Sequence, residues 1–337
     1  MVSLFHLMLT WVPIIILAPS YNDENMMLPF ISQLPAQQQT MWLAALRQAM
    51  PEEQIVLANS LTRAEKKQCQ LAIVANPELA SLAAFEQLTW LHSVWAGVEH
   101  LMTSLKGSPI AVVRLVDPVL SQTMAQAALA WSLYLHRDMP RYAKQQRNKH
   151  WQQWPIVPAN ERRIGILGLG ELGQASATLL QQQGFSVMGW SRSEKKLTNI
   201  ASFFGDKGLT ELLQQSDIVL CLLPLTPATT GLLNKQRLAL LPTGAAIINF
   251  ARGAIVDTQA LLDALDNNQL SHAVLDVFEQ EPLSQNSGLW LHPDITILPH
   301  ISAPTNLTSA SKIVAKNIRQ FRLTGKIPPA VNKEIGY

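Results

Sequence analysis

Three side chains in the second half of the chain, Arg252, Glu281 and His300, have the types and placement for redox chemistry at a carbon beside a carboxylate. Each lies at or just beyond the end of a short apolar run, at 245–249, 272–276 and 295–298. In an open α/β sheet, ligands bind beyond the carboxyl ends of the strands, so strand ends are where such groups meet. An arginine clamps a carboxylate through two parallel hydrogen bonds. A histidine passes a proton near neutral pH, and a glutamate beside it favours the cationic ring and orients it. With a nicotinamide nearby, the trio describes hydride transfer at the carbon next to a carboxylate, with His300 as acid or base.

A nucleotide site precedes them in the chain. The apolar run Ile164-Gly165-Ile166-Leu167 leads into Gly168-x-Gly170-x-x-Gly173, and a helical stretch closed by Gly184 follows. Strand, glycine turn, helix is the context in which this motif holds a dinucleotide. Gly168 permits the tight turn, Gly170 lets a pyrophosphate approach the backbone, and Gly173 lets helix and strand pack closely. Glu171 and Leu172 open the helix, whose first N–H groups and positive dipole end face the phosphates. Leu223 and Pro224, ending the strand expected at 218–223, complete the cofactor set. The second strand, at 185–190, ends in Ser191-Arg192-Ser193. An NAD-specific site puts an acid there to hold the ribose 2′-hydroxyl. A neutral serine and a fork-shaped cation suit a 2′-phosphate instead, with Lys195 and Lys196 adding charge. NADP(H) is therefore the expected cofactor, with NAD(H) as the alternative.

The elements that must hold these groups alternate between strand and helix. Before the glycine motif, strands are expected at 27–31, 55–58, 71–74, 88–91 and 110–114, a helix at 37–50, and a long helix at 123–147. After it, helices are expected at 210–215, 234–241 and 305–323, and a further helix, capped by Asp257, runs to about residue 265. Short unbroken apolar runs between helices indicate parallel sheets covered on both faces. With 337 residues and 48% apolar content, the chain can form two domains with real cores. The net charge of +2 is near balance, and no stretch resembles a nucleic-acid-binding stripe or a basic tail. Two distant cysteines imply no disulfide framework, and eight scattered histidines suggest no metal site. That balance fits a reducing, cytoplasmic compartment. Residues 1–25 form an apolar leader or extension. It lacks the basic start of a signal peptide and is broken by Pro13 and Pro19, and no other membrane association is expected.

The joint series Gly168-x-Gly170-x-x-Gly173, Asn249-Phe250-Ala251-Arg252-Gly253, Leu275-Asp276-Val277-Phe278-Glu279-x-Glu281-Pro282 and Pro299-His300 resembles that of the D-isomer-specific 2-hydroxyacid dehydrogenases. Trp95-Ala96-Gly97-Val98-Glu99 resembles that family's substrate-carboxylate loop. Trp190-Ser191-Arg192-Ser193, His150-Trp151, Gly288-Leu289-Trp290-x-His292-Pro293 and Gly336-Tyr337 point to the glyoxylate/hydroxypyruvate reductase A type.

The resemblance implies an α/β fold of two Rossmann-like, doubly wound parallel-sheet domains. The substrate domain would be discontinuous, built from 26–105 and 301–337, around an NADP-binding domain at 106–300. Arg252 would hold the α-keto carboxylate with help from the N–H groups of Gly97 and Val98. His300 would protonate the carbonyl oxygen, Glu281 would keep it cationic, and Asp276 would lie near the nicotinamide. A homodimer through the cofactor domain is implied, with the 123–147 helix at the subunit contact. Asn76-Pro77 departs from the subtype's aromatic, His-containing loop, which bears on the choice of 2-oxo acid. The expected activity is NADPH-dependent reduction of glyoxylate to glycolate and hydroxypyruvate to glycerate. Two other readings are a related dehydrogenase for another 2-hydroxy acid and, from a different class, a nucleotide-sensing module of corepressor type.

Overall fold

The computed structural model describes residues 27–197 and 200–336, so the leader expected over 1–25 lies outside the described residues, as does Tyr337. The first sheet contains β1 (Leu28–Ser32), β2 (Ile55–Leu57), β3 (Leu71–Ala75), β4 (Trp90–Ser93) and β5 (Ala111–Val113), in the order β2-β1-β3-β4-β5. All its pairings are parallel. Alternate residues on one strand go to opposite cores, which is why these strands read as unbroken apolar runs. Leu71, Ile73 and Ala75 face α1 (Ala36–Ala49), while Ala72 and Val74 face the side bearing α2 (Arg63–Gln68) and α3 (Glu99–Ser104).

Because β5 belongs to this sheet, the sheet extends past the boundary expected at residue 105. The strand expected at 88–91 lies two residues later, because Leu88 closes a turn onto Phe85 O.

The chain then enters α4 (Pro118–His136) and α5 (Met139–Arg147). The single helix expected at 123–147 is thus two helices, and the first begins earlier. Asp117 caps α4 by accepting from Val119 N at 2.9 Å, and Pro118 takes the first helical position, where its missing N–H costs nothing. The break follows from Pro140. In a continuous helix its ring would clash with the carbonyl four residues back, and Asp138 turns through the left-handed region (φ 53°) before α5 begins.

The second sheet contains β6 (Arg163–Leu167), β7 (Ser186–Ser191), β8 (Ala201–Phe204), β9 (Ile218–Cys221), β10 (Ala245–Asn249), β11 (Leu270–Leu275) and β12 (Ile295–Ile297). Its order is β12-β11-β10-β9-β6-β7-β8, all parallel. β8 is a short, largely exposed edge strand with little apolar patterning, and the sequence reading omits it. The helices are α6 (Glu171–Gln182), α7 (Gly205–Gln215), α8 (Lys235–Leu238) and α9 (Thr258–Asp266), the last capped by Asp257 as expected. One face buries Ile164, Ile166, Leu220 and Ile248 under α4 and α6, and the other buries Leu167, Val219 and Ile247.

The final helix, α10 (Leu307–Thr324), returns to the first sheet. Val314, Ile318 and Phe321 complete the core with Phe30, Trp42, Leu46 and Trp90, and Gly325 ends the helix at φ 66°. Both units are therefore doubly wound parallel sheets. Among the described residues, no helix is long and apolar enough to cross a membrane.

Candidate active site

In the second sheet the chain order reverses between β6 and β9, and the glycine turn leaves β6 at that point, where open sheets accept ligands. Gly168 has φ 105°, a left-handed value that a side chain resists. A Cβ on Gly173 would lie 1.8 Å from Gly168 O, so the third glycine is required for α6 to approach the turn. At Gly170 a Cβ would meet nothing within 4 Å, so this backbone is open to an approaching group. No side chain caps the start of α6, which leaves the N–H groups at Glu171 and Leu172 for a ligand. This cradle fits a pyrophosphate.

The neighbouring strand end carries Ser191, buried, its hydroxyl donating to Ser193 O at 2.8 Å, and then Arg192, exposed. Lys195 donates to Leu169 O at 2.7 Å and ties this loop to the glycine turn. Leu223 and Pro224 follow β9 on the other side, where Leu222 N donates to Leu167 O.

Arg252 lies beyond β10. Asn249, itself buried, closes the turn that presents it: its carbonyl accepts from Ala251 N and its amide donates to Arg252 O, at 3.1 and 3.0 Å. Gly253 is needed because a Cβ there would lie 2.0 Å from the carbonyl carbon of Phe278. The arginine turn therefore packs backbone to backbone on the loop leading to Glu281. The guanidinium donates through Nη1 to Ala251 O at 2.6 Å. It also rests against the Gly97 backbone, where a Cβ would come within 1.8 Å of Nη2. The carboxyl edges of the two sheets thus face one another across a cleft. Among the described residues, no protein acceptor takes the N–H of Gly97 or Val98.

Glu281 and His300 form a direct pair. Oε2 meets His300 Nδ1 at 2.7 Å, while Oε1 accepts from Phe278 N at 2.9 Å, so the carboxylate is fixed at both oxygens. That leaves the ring's Nε2 for another partner. His300 has φ 53°, a left-handed conformation that costs roughly 1–2 kcal/mol outside glycine.

Asp276 holds that turn. Its carboxylate, 2% exposed, accepts from Ile301 N at 2.7 Å and Ser302 N at 2.9 Å. Both oxygens are therefore engaged by the backbone after His300. Arg252 Nη2 also donates to Glu99 Oε2 at 3.1 Å. Sequence reasoning missed this pair, the closure by Asn249 and the bonds of Asp276, because each joins positions far apart or hides a side-chain bond within a motif.

The chain matches the family described as "D-isomer specific 2-hydroxyacid dehydrogenase, NAD binding domain" over residues 129–302. Among solved structures, it is similar to a D-isomer-specific 2-hydroxyacid dehydrogenase from Xanthobacter autotrophicus Py2, crystallised with NADPH and MES. Identity is 36% over 92% of this chain and 99% of that one, with a TM-score of 0.85. A protein of the same description from Klebsiella pneumoniae 342 is 33% identical, over 92% and 98% of the two chains, with a TM-score of 0.83. An NADPH-dependent glyoxylate/hydroxypyruvate reductase from Sinorhizobium meliloti, crystallised with NADP and sulfate, is 29% identical. There the match covers 93% and 100%, with a TM-score of 0.82.

Proposed function

This chain belongs to the D-isomer-specific 2-hydroxyacid dehydrogenase family, and from that premise we propose that it uses NADPH to reduce small 2-oxo acids, glyoxylate to glycolate and hydroxypyruvate to glycerate. The observation that carries the reading is the 2.7 Å Glu281–His300 pair on the loop system that also presents Arg252.

Arg252 takes the substrate carboxylate, with the N–H groups of Gly97 and Val98 as further donors. His300 holds a proton on Nε2, the ring nitrogen turned from Glu281, and gives it to the carbonyl oxygen as that oxygen gains charge. Glu281 accepts from Nδ1–H, which fixes the orientation of the ring. The nicotinamide, when bound, supplies the hydride to carbon 2. Gly168, Gly170 and Gly173, with the start of α6, hold the pyrophosphate, and Leu223 and Pro224 line the same mouth. Preference for NADPH rests on the acid-free end of β7 at Ser191-Arg192. The NADP-bound relatives support it.

Assembly as a homodimer accords with the apolar side chains left exposed outside the cores on α4, α5 and the segment after them. These include Val119, Leu133, Met139, Trp151 and Ile156, with Trp151 at 95% exposure. Light scattering at twice the chain mass tests it.

The activity test follows nicotinamide absorbance with NADPH and NADH in parallel, against glyoxylate, hydroxypyruvate and pyruvate. Rapid NADPH loss with the first two acids is expected. Oxidation of NADH alone overturns the cofactor assignment, and no oxidation by folded protein that binds NADPH overturns the substrate assignment.

A further inference from the structure

Arg252 reaches across the cleft. Its Nη2 donates at 3.1 Å to Oε2 of Glu99, on the first turn of α3 in the opposite half of the molecule. The side chains are 32% and 22% exposed, so the ion pair sits in the cleft wall and not on the open surface. The bond is one of two that orient the guanidinium, the other going to Ala251 O. Gly97, two residues before Glu99, supplies the flat backbone on which the guanidinium rests. An acid in the first turn of α3 suits a helix start in general, but this carboxylate is spent on the arginine.

We propose that Glu99 is a positioning residue for the carboxylate clamp, setting which edge of Arg252 meets the substrate and bringing that edge to the N–H groups of Gly97 and Val98. The inference rests on the reading of Arg252 as the clamp.

A guanidinium has five N–H donors in a rigid plane, so anchoring it on one side fixes the direction of the remaining donors. The bond to Ala251 O comes from the arginine's own turn and does not report on the opposite half. The bond to Glu99 does. It forms only when the two sheet edges are in register, so the clamp is aimed when Gly97 and Val98 are in place. A substrate carboxylate then meets a donor set already oriented, and less of the binding free energy goes into ordering side chains.

The test is a double-mutant cycle on the full chain, comparing wild type, Glu99→Gln, Arg252→Gln and the double variant, with Glu99→Asp as a second probe of reach. KM for glyoxylate and the Kd of oxamate, a non-reacting carboxylate of similar size, are measured together, with NADPH Kd as control. Loss of one charge-assisted hydrogen bond in a partly open cleft predicts about a tenfold rise in both KM and the oxamate Kd for Glu99→Gln. kcat should stay within about threefold and NADPH Kd should be unchanged. In the Arg252→Gln background the same change should add nothing. Glu99→Asp, charged but one methylene short, should show part of the rise. An unchanged or lowered KM in Glu99→Gln overturns the proposal, as does an equal loss in both backgrounds. If Arg252→Gln itself leaves glyoxylate KM and oxamate Kd unaltered, the clamp reading falls first and the proposal with it.

Discussion

Asp276→Asn keeps the size and shape of a buried side chain and removes its charge. In the structure the two carboxylate oxygens accept from Ile301 N and Ser302 N at 2.7 and 2.9 Å, immediately after the left-handed turn at His300. An amide can keep only one of these bonds and sets an NH2 donor against the other N–H. Ser302 is 7% exposed, so its N–H finds little water in compensation. Losing a charged acceptor and leaving a buried donor unpaired costs about 3 kcal/mol. That exceeds the roughly 1–2 kcal/mol of strain that the turn must hold. If the whole cost falls on the His300 turn, the ratio of molecules with the ring in place to those without drops by about a hundredfold, which sets the upper limit on the lost fraction. The assay is steady-state kcat at saturating NADPH and glyoxylate, with NADPH Kd measured separately by fluorescence. We expect kcat to fall up to about a hundredfold with NADPH Kd within about threefold. A kcat near wild type, together with a tenfold weaker NADPH Kd, would refute the positioning reading and favour a nicotinamide contact instead.

Other perturbations separate the remaining parts. Gly170→Ala should leave the melting temperature unchanged but weaken NADPH by about tenfold or more, because its Cβ points into open space that the pyrophosphate would fill. Gly173→Ala should instead unfold at lower temperature, since its Cβ would strike Gly168 O; calorimetry and NADPH titration of the two variants distinguish them. Arg192→Ala should raise KM for NADPH by about tenfold more than KM for NADH, and equal changes would remove its 2′-phosphate role.

Acid stability should report on His92. This ring is fully buried on β4, with Nδ1 bonded to Ser93 O and Nε2 to the Asn317 amide, both at 2.9 Å, a pairing that suits the neutral ring. Burial pulls it from 6.5 down to about 4. The unfolded chain takes up this proton below about pH 6.5, whereas the folded protein does so only near pH 4. Its contribution is therefore complete above that window and is lost as pH falls through it, by about 3 kcal/mol at pH 4. Urea midpoints from pH 7 to pH 4 should decline less steeply in His92→Asn, and an unchanged decline would exclude the linkage.

Much of this architecture is legible in sequence because backbone rules govern it. The glycine turn, the apolar runs and Asp257 at the start of α9 are local signals, and the structure realises each one. The break between α4 and α5 was local too, but Pro140 carries it, and a broad apolar stripe masks that single residue. β8 left no mark because an exposed edge strand needs no apolar face. At the site, sequence singled out Arg252, Glu281 and His300 by their positions at strand ends, and the structure joins the last two by a hydrogen bond. The pairing of Arg252 with Glu99 was not legible, since 153 residues separate the partners and only the folded chain brings them together.

The return of α10 to the first sheet has a consequence for synthesis on the ribosome. The half that emerges first cannot close its core until the last helix arrives, roughly 190 residues after β5, or about 10–40 s at ordinary elongation rates. During that interval Phe30, Trp42, Leu46 and Trp90 lack the cover of Val314, Ile318 and Phe321, each of which contributes about 1.5–3 kcal/mol on burial. The second sheet, continuous from β6 to β12, can fold during that wait. The nascent chain therefore reverses the usual amino-to-carboxyl order: the middle matures first, and the two ends find each other last. The contact of Glu99, from the early half, with Arg252, from the late one, is among the final features to form.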